Sequence, residues 1–391
     1  MTHRRVVRLA GIAGAGATVA AGGAVLAAAV VFARRVVTPE VAPNQRDEDI
    51  EVLGVGAGTV TLRATAETTA PGRYGLWLDA GAGHVRLGEV VDHDEVARTV
   101  TRRVLGVDRG RLREGRGRWN QYFYSGDPAK ALDLPFEDVL LDGETGSLPA
   151  WLVPPSGDVP LRETWAILVH GRGATREECL RAVPVLHRLG FTSLVVSYRN
   201  DHDLAPSGSG RYHLGEAEWR DLETAVLFAV AHGAVDVVLV GWSMGGAVAL
   251  QHLSRSWTAD RVRALVLNAP VIDWRSVFGH HARRNGVPVP VSRLAQGLLG
   301  HGQARRLVSL QTAVPLDRFD WVARSAELRV PVLLLHSDDD EYVPSGPSHA
   351  LAQARPDLVT HVPSRQARHT KEWNVDPEQW ETAVARFLLA L

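Results

Sequence analysis

The stretch VDVVLVGWSMGGAVALQHL, residues 235–253, decides how the chain is read. Its opening VDVVLVG is a short β-branched and aliphatic run, the kind buried on both faces of a parallel sheet. A helix-compatible segment begins immediately afterwards, with Gly241-Trp242-Ser243-Met244-Gly245 at the junction. A G-x-S-x-G between strand and helix makes a sharp turn, with the serine at its apex in strained backbone angles and its hydroxyl projecting from the sheet. Gly241, Gly245 and Gly246 supply the room for strand and helix to approach closely. Ser243 is therefore the expected nucleophile.

A serine hydroxyl is a weak nucleophile until a base takes its proton, and that base needs an acid to fix its tautomer. Downstream, VPVLLLHSDDDEYVP (residues 330–344) places a cluster of carboxylates directly after another buried strand. Loops at the C-terminal ends of such strands are where α/β sites are built. The segment resembles the acid loop of the α/β-hydrolase superfamily, in which strand, His-Gly, two residues, Asp, two residues and Val-Pro is a frequent form. The resemblance implies Asp340 as the acid, with Ser337 where glycine is usual and Asp338 and Asp339 as solvated neighbours. Three histidines follow. His349 falls in the helix GPSHALAQ and His361 in the last strand, which suits structural roles. His369 lies in the polar loop SRQARHTKEWN, where the resemblance places the base.

Acyl transfer also needs two donors for the tetrahedral oxyanion, each worth about 3 kcal/mol of transition-state stabilisation. The amide of Met244, next after the nucleophile, is the first. His170-Gly171-Arg172-Gly173 follows the strand WAILV and resembles the superfamily's HG-x-G oxyanion segment, which implies the Arg172 amide as the second. The His170 imidazole is expected to anchor this loop. Within the superfamily, SYRND (197–201) and LGEAEWRDLETAV (214–226) resemble the esterase and acyl-aminoacyl-peptidase-like branches. The implied activity is that of a serine hydrolase cleaving a carboxylic ester or amide through an acyl-enzyme on Ser243. Its substrate would be a small-molecule acyl ester or amide. An esterase is favoured over a peptidase because no acidic pair for a substrate amino terminus can be assigned. An acyltransferase would use the same acyl-enzyme. No cofactor is implied, and none of the histidines, His93 and the His280-His281 pair included, has metal-ligand spacing.

Outward from these motifs, strands and helices alternate from residue 135 on, as a parallel sheet requires. FEDVLL and PAWLVPP flank the turn DGETG as a hairpin, TREECLRAVPVLHRLG reads as one helix ended by Gly190, and DPEQWETAVARFLLAL is an amphipathic C-terminal helix. The stretch between RALVLNAP and VPVLLLH is too long for a simple crossover, so a helical cap is expected at about 271–326. Its arginines point weakly to an anionic substrate, a solvated helix face being the plainer explanation. The expected fold is an α/β-hydrolase fold with a mostly parallel central sheet flanked by helices, the cap insertion, and a small N-terminal β-rich module. That module and its connector occupy 50–134, with four β-rich runs before residue 107 and an Arg- and Gly-rich connector after it. The α/β domain follows over 135–391.

Basic residues (43) and acidic residues (44) nearly cancel over 391 residues, which argues against a polyanion partner such as nucleic acid. Lys130 and Lys371 are the only lysines, a bias towards arginine expected of GC-rich coding as in actinobacteria. Cys179 stands alone, which rules out an intramolecular disulfide and suits a buried thiol. Near the N-terminus, residues 9–33 are 25 uncharged residues, long enough to cross a hydrocarbon core of about 30 Å. Residues 1–36 are thus expected to be a transmembrane anchor or a signal segment, with 37–49 as a linker. Arg4, Arg5 and Arg8 favour a cytoplasmic N-terminus and an extracytoplasmic catalytic domain. Oligomeric state is not legible.

Overall fold

A computed structural model describes residues 22–41, 45–202 and 204–391. The first element is a helix over residues 22–37, here α1. It ends the uncharged run, whose residues 9–21 lie outside the described residues. Ala29, Ala33 and Val37 of α1 are fully buried in the main core. Among the described residues, no helix is long and apolar enough to cross a membrane.

Six antiparallel strands then close a small barrel: β1 (Ile50–Gly56), β2 (Thr59–Arg63), β3 (Tyr74–Leu78), β4 (Gly83–Asp94), β5 (Thr99–Arg109) and β6 (Gly115–Asn120), in the order β1-β2-β5-β4-β3-β6. Pairing of β1 with β6 completes the ring and leaves no free edge. The four β-rich runs are β2 to β5. The closing strand β6, GRGRWN, falls in the stretch read as connector, because its Arg and Gly residues lack the apolar alternation of a strand. Its Gly117 is required: a Cβ there would meet Trp77 O at 2.8 Å.

Arg102 is wholly buried in the barrel, with no carboxylate in ion-pair contact among the described residues. All five of its N–H donors are used instead, on the carbonyls of Thr68, Ala70, Gly72 and Gly88 at 2.5–3.0 Å. Its guanidinium carbon lies 5.3 Å from the Tyr74 ring centre and 5.6 Å from that of Trp119. Burial pulls its pKa down to about 10.

After a short helix α2 (Pro128–Leu132), an eight-stranded sheet is built from β7 (Glu137–Gly143), β8 (Gly146–Val153), β9 (Thr164–Val169), β10 (Ser193–Val196), β11 (Asp236–Trp242), β12 (Val262–Asn268), β13 (Val332–Ser337) and β14 (Val359–Ser364). The order is β14-β13-β12-β11-β9-β10-β8-β7. The six strands from β14 to β10 pair in parallel, while β8 and β7 form an antiparallel hairpin at one edge. Side chains alternate between two cores: Ile167, Leu239, Leu267 and Leu334 face one, Leu168, Val240, Val266 and Leu335 the other. This is why the central strands read as continuous apolar runs.

Helices cover both faces: α3 (Val183–Arg188), α4 (Trp219–Ala231), α5 (Met244–Arg255), α6 (Trp274–Arg284), α7 (Val289–Gly300), α8 (Gly346–Ala354), α9 (Glu372–Val375) and α10 (Pro377–Leu389). The stretch expected to be a single helix before Gly190 is broken, with a 3-10 turn over Arg176–Arg181 preceding α3. Pro184 has no N–H for the carbonyl of Leu180, so the α-helix starts afresh there. The cap consists of α6, α7 and three 3-10 turns.

A lysine offers three donors on one nitrogen where Arg102 offers five in a planar fork. Arg102→Lys is expected to strand buried carbonyls of the barrel and cost about 2–4 kcal/mol of stability. Urea denaturation reads this as a lowered midpoint; an unchanged midpoint would refute the assignment.

Candidate active site

Ser243 stands between β11 and α5 with φ 51° and ψ −114°, a conformation that side chains rarely adopt. The turn is locked on both sides, since Ser243 N donates to Asn268 O (3.0 Å) and Ser243 O accepts from Gly246 N and Val271 N (both 3.1 Å). The glycines serve packing: a Cβ on Gly241 would come within 2.7 Å of Gly246 N, and one on Gly246 within 2.7 Å of Pro270 Cβ. At the C-terminal end of β13, Asp340 is buried, and its Oδ1 accepts from the amides of Tyr342 (2.8 Å) and Val343 (2.9 Å). The loop after β14 carries His369.

The three side chains meet. His369 Nε2 lies 2.9 Å from Ser243 Oγ, and His369 Nδ1 lies 2.7 Å from Asp340 Oδ2. A carboxylate only accepts, so Nδ1 carries the proton and Nε2 is left to accept from the serine hydroxyl. Burial disfavours the charged imidazole, but the Asp340 charge and hydrogen bond outweigh it and raise the His369 pKa above its ordinary 6.5. Burial likewise opposes ionisation of Asp340, and the two histidines facing it, His369 and His336, hold it well below the usual carboxylate range all the same. His336 Nε2 is 3.3 Å from Asp340 Oδ2.

Met244 is the first residue of α5, so its N–H has no partner within the helix. The His170–Gly173 loop runs alongside: a Cβ on Gly171 would sit 3.2 Å from Ser243 Cβ. Glu178 holds this loop by accepting Gly171 N–H at 2.7 Å, and its other oxygen receives Thr370 Oγ1 at 3.3 Å. His170 lies with its two ring nitrogens 2.9 Å from Gly171 O and 2.8 Å from Asp201 Oδ2, and it stacks on Tyr198. It is an anchor, as its place in the sequence suggested. His349 and His361 sit apart from Ser243, ring against ring at 4.5 Å. Among the described residues, no group of His, Cys, Asp and Glu is placed to hold a metal ion.

Four participants were not legible in sequence. Glu178 sits in a stretch with an ordinary helical pattern, and His336 lies within a strand. Lys371 is buried beside the base, donating to His369 O and Thr370 Oγ1, both at 2.9 Å, and burial lowers its pKa to about 8. The Arg172 side chain, in a segment whose sequence drew attention only to the backbone amide, donates to the carbonyls of Arg35, Val36 and Thr38. A cavity of about 1010 Å³, reaching from Ser243 and His369 to α1 and the cap, opens above the site.

Against known proteins, residues 51–120, the barrel, match a "Domain of unknown function (DUF8805)". No curated protein sequence matches the chain. Structures of the Pyrococcus furiosus esterase Pf2001 in two crystal forms are similar at 18% identity and a TM-score of 0.52, covering 68% of this chain and 95–97% of the esterase. Est1E from Butyrivibrio proteoclasticus aligns at 18% identity and a TM-score of 0.46, over 65% of this chain and 98% of its own. At such identities the likeness concerns the fold. The sequence profile "Alpha/beta hydrolase family" matches residues 166–383, more than half of the chain and the whole span from the strand before the His170 loop to the last helix, so the protein belongs to the alpha/beta hydrolase family.

Proposed function

We propose that the protein is a serine carboxylesterase that works through an acyl-enzyme on Ser243. The observation that carries this reading is the hydrogen-bonded chain from Ser243 through His369 to Asp340 at the floor of a cavity. In acylation, Ser243 Oγ attacks the ester carbonyl while His369 Nε2 takes its proton. The imidazolium so formed is stabilised by Asp340, and the oxyanion by the N–H groups of Met244 and Arg172. Collapse expels the alcohol, which receives the proton from His369. Water, deprotonated by the same nitrogen, then frees the acid and restores Ser243. The ester is preferred to the amide because no acidic pair for a substrate amino terminus can be assigned in the sequence.

Two outcomes are expected of the full-length protein with p-nitrophenyl acyl esters. Ser243→Ala lowers kcat by about 10⁴-fold or more and abolishes fluorophosphonate labelling. A folded wild-type enzyme that neither turns over esters nor takes the label would sink the reading.

The pH dependence follows from His369, which must be neutral to act as a base. Activity is lost as pH falls through its raised pKa, so the acid limb of kcat/KM lies above 6.5. Asp340→Asn removes the charge that raises this pKa but leaves the burial that lowers it. The limb should therefore move to lower pH while kcat drops by about 10³–10⁴. A limb that stays in place would show that another group governs it.

A further inference from the structure

The helix α1 is built into the site. Its buried face of Ala29, Ala33 and Val37 lies in the core. Phe32 meets Phe278 of the cap helix α6 edge-on, with ring centres 5.9 Å apart. Arg34 Nε donates to Leu307 O at 3.0 Å, and Tyr212 N to Val37 O at 2.9 Å. The last carbonyls of a helix have no partner within it, and a cation there is favoured by the helix dipole. At α1 that cation is Arg172, whose Nε donates to Val36 O at 2.6 Å and whose Nη2 donates to Arg35 O at 3.0 Å. Its Nη1 reaches Glu40 Oε1 at 3.0 Å. The residue whose main chain runs beside Ser243 thus grips, through its side chain, the end of α1.

On its outer face α1 presents Val31, Phe32 and Val36 to the cavity, opposite Val277 and Phe278 of α6 and Val291 of α7. Of the cavity arginines, Arg368 is paired with Glu341, Arg172 with Glu40, and Arg284 donates to Glu341 O, while Arg35, His281 and Asn285 also line the space, so Val31, Phe32, Val36, Val277, Phe278 and Val291 form an apolar strip within a mixed wall.

We propose that α1 is a wall of the substrate cavity, that Val31 and Phe32 set the length of the apolar acyl chain accepted, and that Arg172 couples the docking of α1 to the oxyanion loop. The proposal rests on the serine esterase reading and names its substrate class: esters of apolar, extended acyl chains.

Cys179 is the only cysteine and is fully buried, so a thiol placed on α1 is addressed selectively. Val31 is two-thirds exposed and tolerates the change. In full-length Val31→Cys, mixed-disulfide formation with alkyl methanethiosulfonates of increasing length, with methanesulfinate leaving, is expected to cut kcat/KM for dodecanoyl esters at least tenfold. The ratio of dodecanoyl to acetyl kcat/KM is the readout, and the unmodified variant controls for folding. An acyl-length profile indifferent to the attached chain would overturn the proposal while leaving the esterase reading intact. Loss of labelling and of all ester turnover in the wild type would instead remove the reading on which it rests. Separately, Arg172→Ala keeps its own N–H but releases α1, so trypsin should cleave after Arg34 and Arg35 at least tenfold faster than in wild type. Equal rates would overturn the coupling.

Discussion

Everything at the site hangs on one uncomfortable backbone conformation, that of Ser243. A residue held at φ 51° and ψ −114° costs about 1–3 kcal/mol and survives only where its surroundings over-determine it. Here the surroundings are a parallel strand behind, a helix in front and hydrogen bonds to Asn268, Gly246 and Val271. Ala269, on the neighbouring strand end, is also at positive φ (46°), with its N–H on Leu335 O of β13. The two adjacent strand ends are thus bent together, and the acid loop grows from the third. The nucleophile is aimed by the sheet, and the loops bring the base and acid to it.

The barrel takes part in that aiming. Asn374, fully buried just beyond the His369 loop, donates to Arg73 O (2.6 Å) and Gln121 O (3.0 Å) of the barrel segment and accepts from Arg181 Nη1 (2.6 Å). Arg181 Nη1 also reaches Thr370 O at 2.7 Å. Phe123 and Tyr124 close the junction by packing on Trp373. Because these polar groups are buried, each unmet partner would be costly, so barrel and base loop are held in a single arrangement. A β module with no legible chemistry of its own therefore bears on the position of His369.

Much of this was readable from residues alone because the relevant signals are local. An apolar run flanked by turn residues is a strand wherever it occurs, and a G-x-S-x-G at its end leaves few alternatives. Asp340 and His369 were reached through resemblance and chain order, and the structure places them within hydrogen-bonding distance of one another and of Ser243. What escaped depends on distant partners. Arg102 looks like a surface residue until the carbonyls of Thr68 to Gly72 fold over it, and β6 is a strand chiefly because β1 and β3 pair with it. Glu178 becomes a brace only when Gly171 arrives opposite. The run 9–33 posed a deeper ambiguity: composition records that a segment avoids water, and says nothing of which apolar surroundings receive it.

That ambiguity has a topological consequence. Residues 22–33 belong to α1, whose Ala29 and Ala33 are buried in the enzyme's core, and a bilayer core of roughly 30 Å takes about 20 apolar residues as a helix. Insertion of the full run into lipid and closure of the cavity wall therefore draw on the same dozen residues and exclude one another. Proteolytic removal of the run during export would delete that wall outright. Any change at the N-terminal run is in this way also a change in the wall we propose for the cavity.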